Sequence, residues 1–286
     1  MSSNPVRGVQ TAAKSKNAGS EPAVESENSQ QANFEKVSGH KWTDIEREID
    51  RIIEHYKSHK DLPLTEFKSN ETWSVLEKNE DSSISSLNIS INGSPLVAYK
   101  IKIKFFDVNP IQLCYALLDI NNRKELDEST IKIEQNSKFK KSLKCDIINS
   151  VNKYPTPFNN RSYQYFRKWK SYNVGTRKIY CILSKSLKSI NQSDKSNDSG
   201  NVGFFKNIIS KSVEYAYGSG DIIVDQYYSV VAIENDPNIP NQTNLVMIYY
   251  EDPKLNVPQN VLYKAVIASF PKYAASLSKI AKMYNV

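Results

Sequence analysis

The stretch "KYPTPFNNRSYQYFRKW", Lys153 to Trp169, decides how this chain is read. Pro155 and Pro157 each fix φ and lack a backbone donor, so the segment before Arg161 cannot pair as a central strand and reads as a stiff extended loop. From Arg161 the pattern has a period of two. Tyr163, Tyr165, Arg167 and Trp169 fall on one face of a strand, and Ser162, Gln164, Phe166 and Lys168 on the other. A rigid loop thus delivers an aromatic, cationic strand face, and the question is what that face holds.

On the N-terminal side, "TWSVLEK", "SSLNISING" and "LVAYKIKIKFF" alternate in the same way, with Asn92-Gly93 supplying a hairpin turn. Asn109-Pro110 reads as an N-cap with proline at the first helical position, opening the helix "PIQLCYALLDI". A short helical piece follows with Arg123 and Asp127, and then the strands "STIKIEQ" and "KKSLKCDIINSV". On the C-terminal side come "TRKIYCILSKS", "DIIVDQYYSVVAIEN" and "NLVMIYYED". Residues 187–220 interrupt them and read as a long surface insertion. Two amphipathic helices bracket the strands. The first, "KWTDIEREIDRIIEHYK", carries Ile45, Ile49, Ile52, Ile53 and Tyr56 at helical spacing, with Thr43 and Glu46 as a capping box. The last runs from Pro258, with Val266, Phe270, Tyr273, Leu277, Ile280 and Tyr284 as its apolar stripe and Pro271 in its interior. The order predicts an α+β fold on an antiparallel sheet, and a long helix against the concave side of such a sheet tends to enclose a cavity.

Length and composition set bounds on this reading. In 286 residues, 39% hydrophobic content is enough for a real core. Residues 1–40 are rich in Ser, Asn, Gln, Ala and Glu and read as a disordered tail, with the folded domain at 41–286. The tail holds four basic and four acidic residues, so the net charge of +7 lies wholly after it. Cys114, Cys145 and Cys181 form no CxxC pair, which argues against a disulfide framework or a zinc site and for a reducing compartment. No stretch approaches the ~18 apolar residues of a membrane span, and the N-terminus lacks the apolar core of a secretory signal. The expectation is a soluble, cytoplasmic monomer.

All three histidines, His40, His55 and His59, precede the sheet, and no phosphate-cradling glycine loop or nucleophile elbow is present. No catalytic residue, metal ligand or cofactor is therefore expected, and an enzyme has little to stand on. Basic runs with interleaved aromatics, "FKKSLKC" and "YFRKWKSY", allow an RNA-binding module as a reading from another class.

Taken in order, "KYPTPFNNRSYQYFRKW", "GTRKIYCILSKS", "GDIIVDQYYSVVAIE", "LVMIYYEDP" and "VPQNVLYKAVIASFPKYAASLSKIAKMY" resemble the steroidogenic-acute-regulatory-related lipid transfer (START) domain family from about Ile49 to the C-terminus. The resemblance implies a helix-grip fold, with the curved sheet wrapped around the C-terminal helix and a lipid tunnel between them. It implies a non-enzymatic phospholipid carrier that touches membranes transiently, with a sterol or ceramide carrier as the alternative on the same fold.

It also implies roles for particular residues. Arg123 matches the family's phosphate-binding arginine and Asp127, four residues on, its orienting aspartate; a guanidinium suits the task because it stays charged when buried and offers a fork to phosphate oxygens. Tyr163 and Tyr227 match two aromatics of a choline cage, while Ser150 and Ser229 stand where a choline-binding relative has tryptophan and glutamine, so a broader or different headgroup is expected. Tyr154, Pro155, Pro157, Phe158 and Arg161 belong to the gate loop, with Arg161 expected to hold its base through a buried ion pair. Val266, Phe270, Tyr273 and Leu277 mark the lid helix. Phe158 and the basic face of that helix, Lys264, Lys272, Lys279 and Lys282, would meet the membrane surface.

Overall fold

The computed structural model describes residues 26–57, 72–175, 177–187 and 220–286. Strands β1 (Ser74–Lys78), β2 (Ser82–Ile91) and β3 (Ser94–Phe106) form an antiparallel meander. Asn92 and Gly93, at φ 51° and 82°, make the expected two-residue turn between β2 and β3. Helix α1 (Glu27–Ser38) and α2 (Trp42–Lys57) precede the meander. After it come α3 (Pro110–Leu118), the 3₁₀ turn Ile120–Asn122, α4 (Arg123–Leu126), β4 (Thr130–Asn136), α5 (Lys140–Leu143), β5 (Cys145–Asn152), β6 (Arg161–Val174) and β7 (Arg177–Ser186). The chain ends with β8 (Ile222–Val224), β9 (Tyr227–Asn235), β10 (Gln242–Glu251) and α6 (Gln259–Ala281). Among the described residues these strands make one sheet in the order β1-β2-β3-β10-β9-β7-β6-β5-β4, antiparallel throughout except for β8, which pairs parallel with β6.

Strand alternation divides the apolar residues between two cores. The inner face carries Ile84, Ile101, Ile103, Tyr180, Ile182, Val231, Ile233 and Leu245, which pack against α3 and the Phe270, Leu277 and Ile280 stripe of α6. The outer face carries Cys145, Ile147, Phe166, Cys181, Leu183, Val230 and Ala232, covered by α1 and α2. This is the α+β helix-grip architecture, with the sheet packed on both sides. Helix α6 runs unbroken through Pro271, whose ring is exposed.

The structure departs from the sequence reading in three places. The stretch expected as a tail contains α1: Phe34 is 0% exposed and packs edge-on against Trp42, Phe139 and Phe166 at 5.4, 5.4 and 5.6 Å. Residues 1–25 of that stretch, and nearly all of the 187–220 insertion, lie outside the described residues. Thr43 is inside α2 and makes no capping box; instead the Trp42 N–H donates to Glu35 Oε1 of α1 at 2.6 Å, and Glu46 reaches across to Lys168 at 2.9 Å. Lys140–Leu143 is a helical turn, not the start of β5, and Lys144 at φ 48° ends it.

Candidate functional site

Strand register fixes one wall of the site. Glu251 pairs with Tyr227 and Tyr249 with Ser229 between β10 and β9, and Ser150 pairs with Tyr163 between β5 and β6. Directly opposite residues share a face, and alternation along β6 adds Tyr165 to it. This is the inner face. Tyr163 and Tyr227 meet edge-on at 5.9 Å, and Tyr165 tilts against Tyr227 at 5.0 Å. Ser229 hydrogen-bonds the Tyr227 hydroxyl, and Ser150 and Ser229 are 6% and 7% exposed.

The opposing wall begins with α3. Asn109 caps it, accepting from Ile111 N at 3.2 Å while Gln112 Oε1 accepts from Asn109 N at 2.8 Å. Its far end is held by Arg167, which makes a two-pronged pair with Asp146 at 3.1 Å and donates to the Leu117 and Leu118 carbonyls at 3.0 and 2.7 Å. With α3 tied to the sheet, the turn into α4 presents Arg123. The guanidinium lies 3.7 Å from Asp127, an ion pair beyond hydrogen-bond length. Asp127 is itself anchored by Ser129 N at 3.0 Å, Ser129 Oγ at 2.7 Å and Asn152 Nδ2 at 3.0 Å.

Burial works to lower the Arg123 pKa, but Tyr165, Tyr227, Tyr273 and Asp127 outweigh it, and the guanidinium is held above its ordinary value. It is charged at every physiological pH. Yet its side chain keeps 36% of its surface accessible. Tyr227, Tyr249, Glu251 and Tyr273 combine partial accessibility with burial-driven shifts in the same way. These side chains look onto the space between the sheet's inner face and α4 and α6.

Residues 153–160 form the loop beside this space. Phe158 at its tip is 40% exposed, and Pro155 and Pro157 are exposed with it. Tyr154 points inward, its hydroxyl 3.4 Å from that of Tyr163. Arg161, 1% exposed, holds the loop base, but the expected carboxylate is not among the described residues around it. It donates through Nε to the Pro253 carbonyl at 2.5 Å and through Nη1 to the Asn159 carbonyl, and its guanidinium lies 4.6 Å from the centre of the Tyr154 ring. Neutral carbonyls serve because each offers an unpaired acceptor to a buried cation.

On α6, Phe270 and Leu277 are 7% and 0% exposed, while Val266 and Tyr273 are partly accessible. Two lysines of its basic face are paired, Lys272 with Glu128 at 2.6 Å and Lys279 with Glu125 at 2.8 Å. A separate cleft of about 520 Å³ opens between α6 and the β1–β2 turn, with Glu80, Asp81, Ile103, Phe270 and Pro271 among its lining.

Sequence reasoning missed Glu251. The carboxylate faces the space, receiving the Tyr154 hydroxyl at 3.5 Å and a hydrogen bond from Tyr163. The signal was present, since Leu245, Met247, Tyr249 and Glu251 share one parity along β10.

No family model matches the chain. The phosphatidylcholine transfer protein of Mus musculus is 24% identical over 213 residues, covering 74% of this chain and 85% of that protein. Among solved structures, human StAR-related lipid transfer protein 5 superposes with a TM-score of 0.55 at 13% identity, covering 84% of this chain and 96% of its own. Human STARD10 does so with a TM-score of 0.52 at 17% identity, covering 82% and 80%.

Proposed function

We propose, for a chain that is a START domain in fold and a sequence relative of phosphatidylcholine transfer protein, that it is a non-enzymatic carrier. It takes one phospholipid from a membrane into the space between sheet and α6, shields the acyl chains there and releases the lipid at another membrane. The observation that carries the phospholipid reading is Arg123: a permanently charged fork, ringed by Tyr165, Tyr227 and Tyr273, whose ion pair at 3.7 Å leaves its donors to a ligand. Phosphate oxygens match that fork in charge and geometry. Asp127 keeps the guanidinium aimed.

The loop at 153–160 and α6 act as the gate, with Phe158 and the lysines of α6 meeting the membrane surface during exchange. The carrier works as a monomer in the cytoplasm and needs no cofactor. A sterol or ceramide would bring no anionic oxygens to the donors that Asp127, at 3.7 Å, leaves open on Arg123. The RNA reading is not favoured either, because Tyr163 and Tyr165, at 7% and 8% exposure, are turned inward and cannot stack bases on a surface.

The test is native mass spectrometry with lipid identification on protein purified without detergent. One phospholipid per wild-type chain, with occupancy lost or much reduced in Arg123→Ala, is the expected result. An empty wild-type protein, or a phosphorus-free lipid indifferent to the substitution, overturns the reading.

A further inference from the structure

We propose that Glu251 determines headgroup specificity, selecting phospholipids that end in an ammonium bearing N–H bonds over those with quaternary or anionic headgroups. This rests on the carrier reading and goes beyond it by naming the headgroup and the residue that chooses it.

Four observations converge on Glu251. Its carboxylate stands opposite Tyr227 in the β9–β10 register, on the face that looks into the internal space. It has no cation of its own: among the described residues no lysine or arginine reaches it within ion-pair distance, and its contacts are the hydroxyls of Tyr154, at 3.5 Å, and Tyr163. A carboxylate desolvated by its surroundings and without a counter-ion is costly, and Glu251 keeps part of its surface accessible at the wall of the space, where a cation supplied from outside can reach it. Arg123 acts on it electrostatically without reaching ion-pair distance, and both charges act on Tyr227. A ligand with a phosphate at Arg123 and an ammonium at Glu251 would therefore bracket one ring.

The fourth observation separates primary from quaternary ammonium. A quaternary group needs ring faces around it. Here the rings are engaged with one another, Tyr227 meeting Tyr163 edge-on and Tyr165 at a tilt, and the polar lining beside them is oxygen: the hydroxyls of Ser150, Ser229, Tyr154 and Tyr163 and the Glu251 carboxylate. An –NH₃⁺ group donates three hydrogen bonds to such oxygens, and each methyl added removes one donor.

The experiment is competitive extraction from mixed vesicles containing phosphatidylethanolamine, its N-methyl and N,N-dimethyl derivatives, phosphatidylcholine and phosphatidylglycerol at equal content. Bound lipids are quantified by mass spectrometry for wild type, Glu251→Gln and Arg123→Ala. In wild type, uptake should fall stepwise with each methyl, reaching about tenfold between the ends of the series, and phosphatidylglycerol should be taken least. In Glu251→Gln the methyl series should flatten and the share of phosphatidylglycerol among bound lipids should rise. A wild-type preference for phosphatidylcholine, or a series unchanged by Glu251→Gln, overturns the assignment while leaving the carrier standing. The wild-type series decides even if the variant folds poorly. No phospholipid in wild type overturns both readings together.

Discussion

Arg123 and Asp127 stand 3.7 Å apart across one turn, and the aspartate spends its short hydrogen bonds on Ser129 and Asn152 instead of on the guanidinium. Asp127 is thus fixed by its own neighbours, and it aims Arg123 without capturing it. Asp127→Ala should cost about 1–3 kcal/mol of stability, because the Ser129 and Asn152 donors lose their acceptor. It should also lower phospholipid occupancy, though less than Arg123→Ala does. Thermal denaturation alongside native mass spectrometry checks both, and equal occupancy in Asp127→Ala and wild type would show that the aspartate has no orienting role.

The buried Arg161 makes a second prediction. Its removal leaves the Pro253 and Asn159 carbonyls without their donor and the Tyr154 ring without its cation. Arg161→Ala should destabilise the protein by about 2–4 kcal/mol, and Arg161→Lys should recover only part, because an ammonium is a point charge and cannot serve two carbonyls as a planar fork does. Denaturant melts of the three proteins give the order. A lysine variant as stable as wild type would place the value of Arg161 in its charge alone.

Helix α1 yields a third. Phe34 is wholly buried among Trp42, Phe139 and Phe166, so Phe34→Ala should cost about 3–5 kcal/mol. Deleting residues 1–40 should cost at least as much, since it strips one cover from the outer face of the sheet and also removes Glu35, which caps α2. A 1–40 deletion that melts with the full chain would return α1 to the status of a tail.

What was legible in the sequence follows the range of the interactions. Alternation revealed the strands, Asn92-Gly93 the hairpin and Asn109-Pro110 the start of α3, because each signal lies within a few neighbouring residues. The proline-stiffened loop before Arg161 and the Arg123–Asp127 spacing were legible for the same reason. Helix α1 was not, because Phe34 and Val37 are almost its only apolar residues and their burial is decided by Phe139 and Phe166, more than a hundred positions away. The cap of α2 was misread because Glu35 in another helix supplies it. The partners of Arg161 could not be read at all, since every residue carries a carbonyl.

Glu251 makes the last prediction, on pH. Burial raises its pKa above the ordinary 4.5, with Asp127 adding to the rise and hydrogen bonds from Tyr163 and Tyr154 and the charge of Arg123 opposing it. In the unfolded chain the carboxyl ionises near its ordinary value. Between the two values the native state holds a proton that the unfolded state has lost, so stability falls as pH rises through that window and stays lower above it. Below the ordinary value both states are protonated and the penalty vanishes. Freed of lipid, Glu251→Gln should therefore melt higher than wild type at pH 7.5 and together with it at pH 4. Loading with phosphatidylethanolamine should narrow or reverse the difference at pH 7.5, because the ammonium neutralises the carboxylate in wild type and finds no charge in the variant. Paired melts of delipidated and loaded proteins at the two pH values decide the matter. A Glu251→Gln protein less stable than wild type at pH 7.5 without lipid would mean that the carboxylate is held by partners of its own and is not waiting for a ligand's cation.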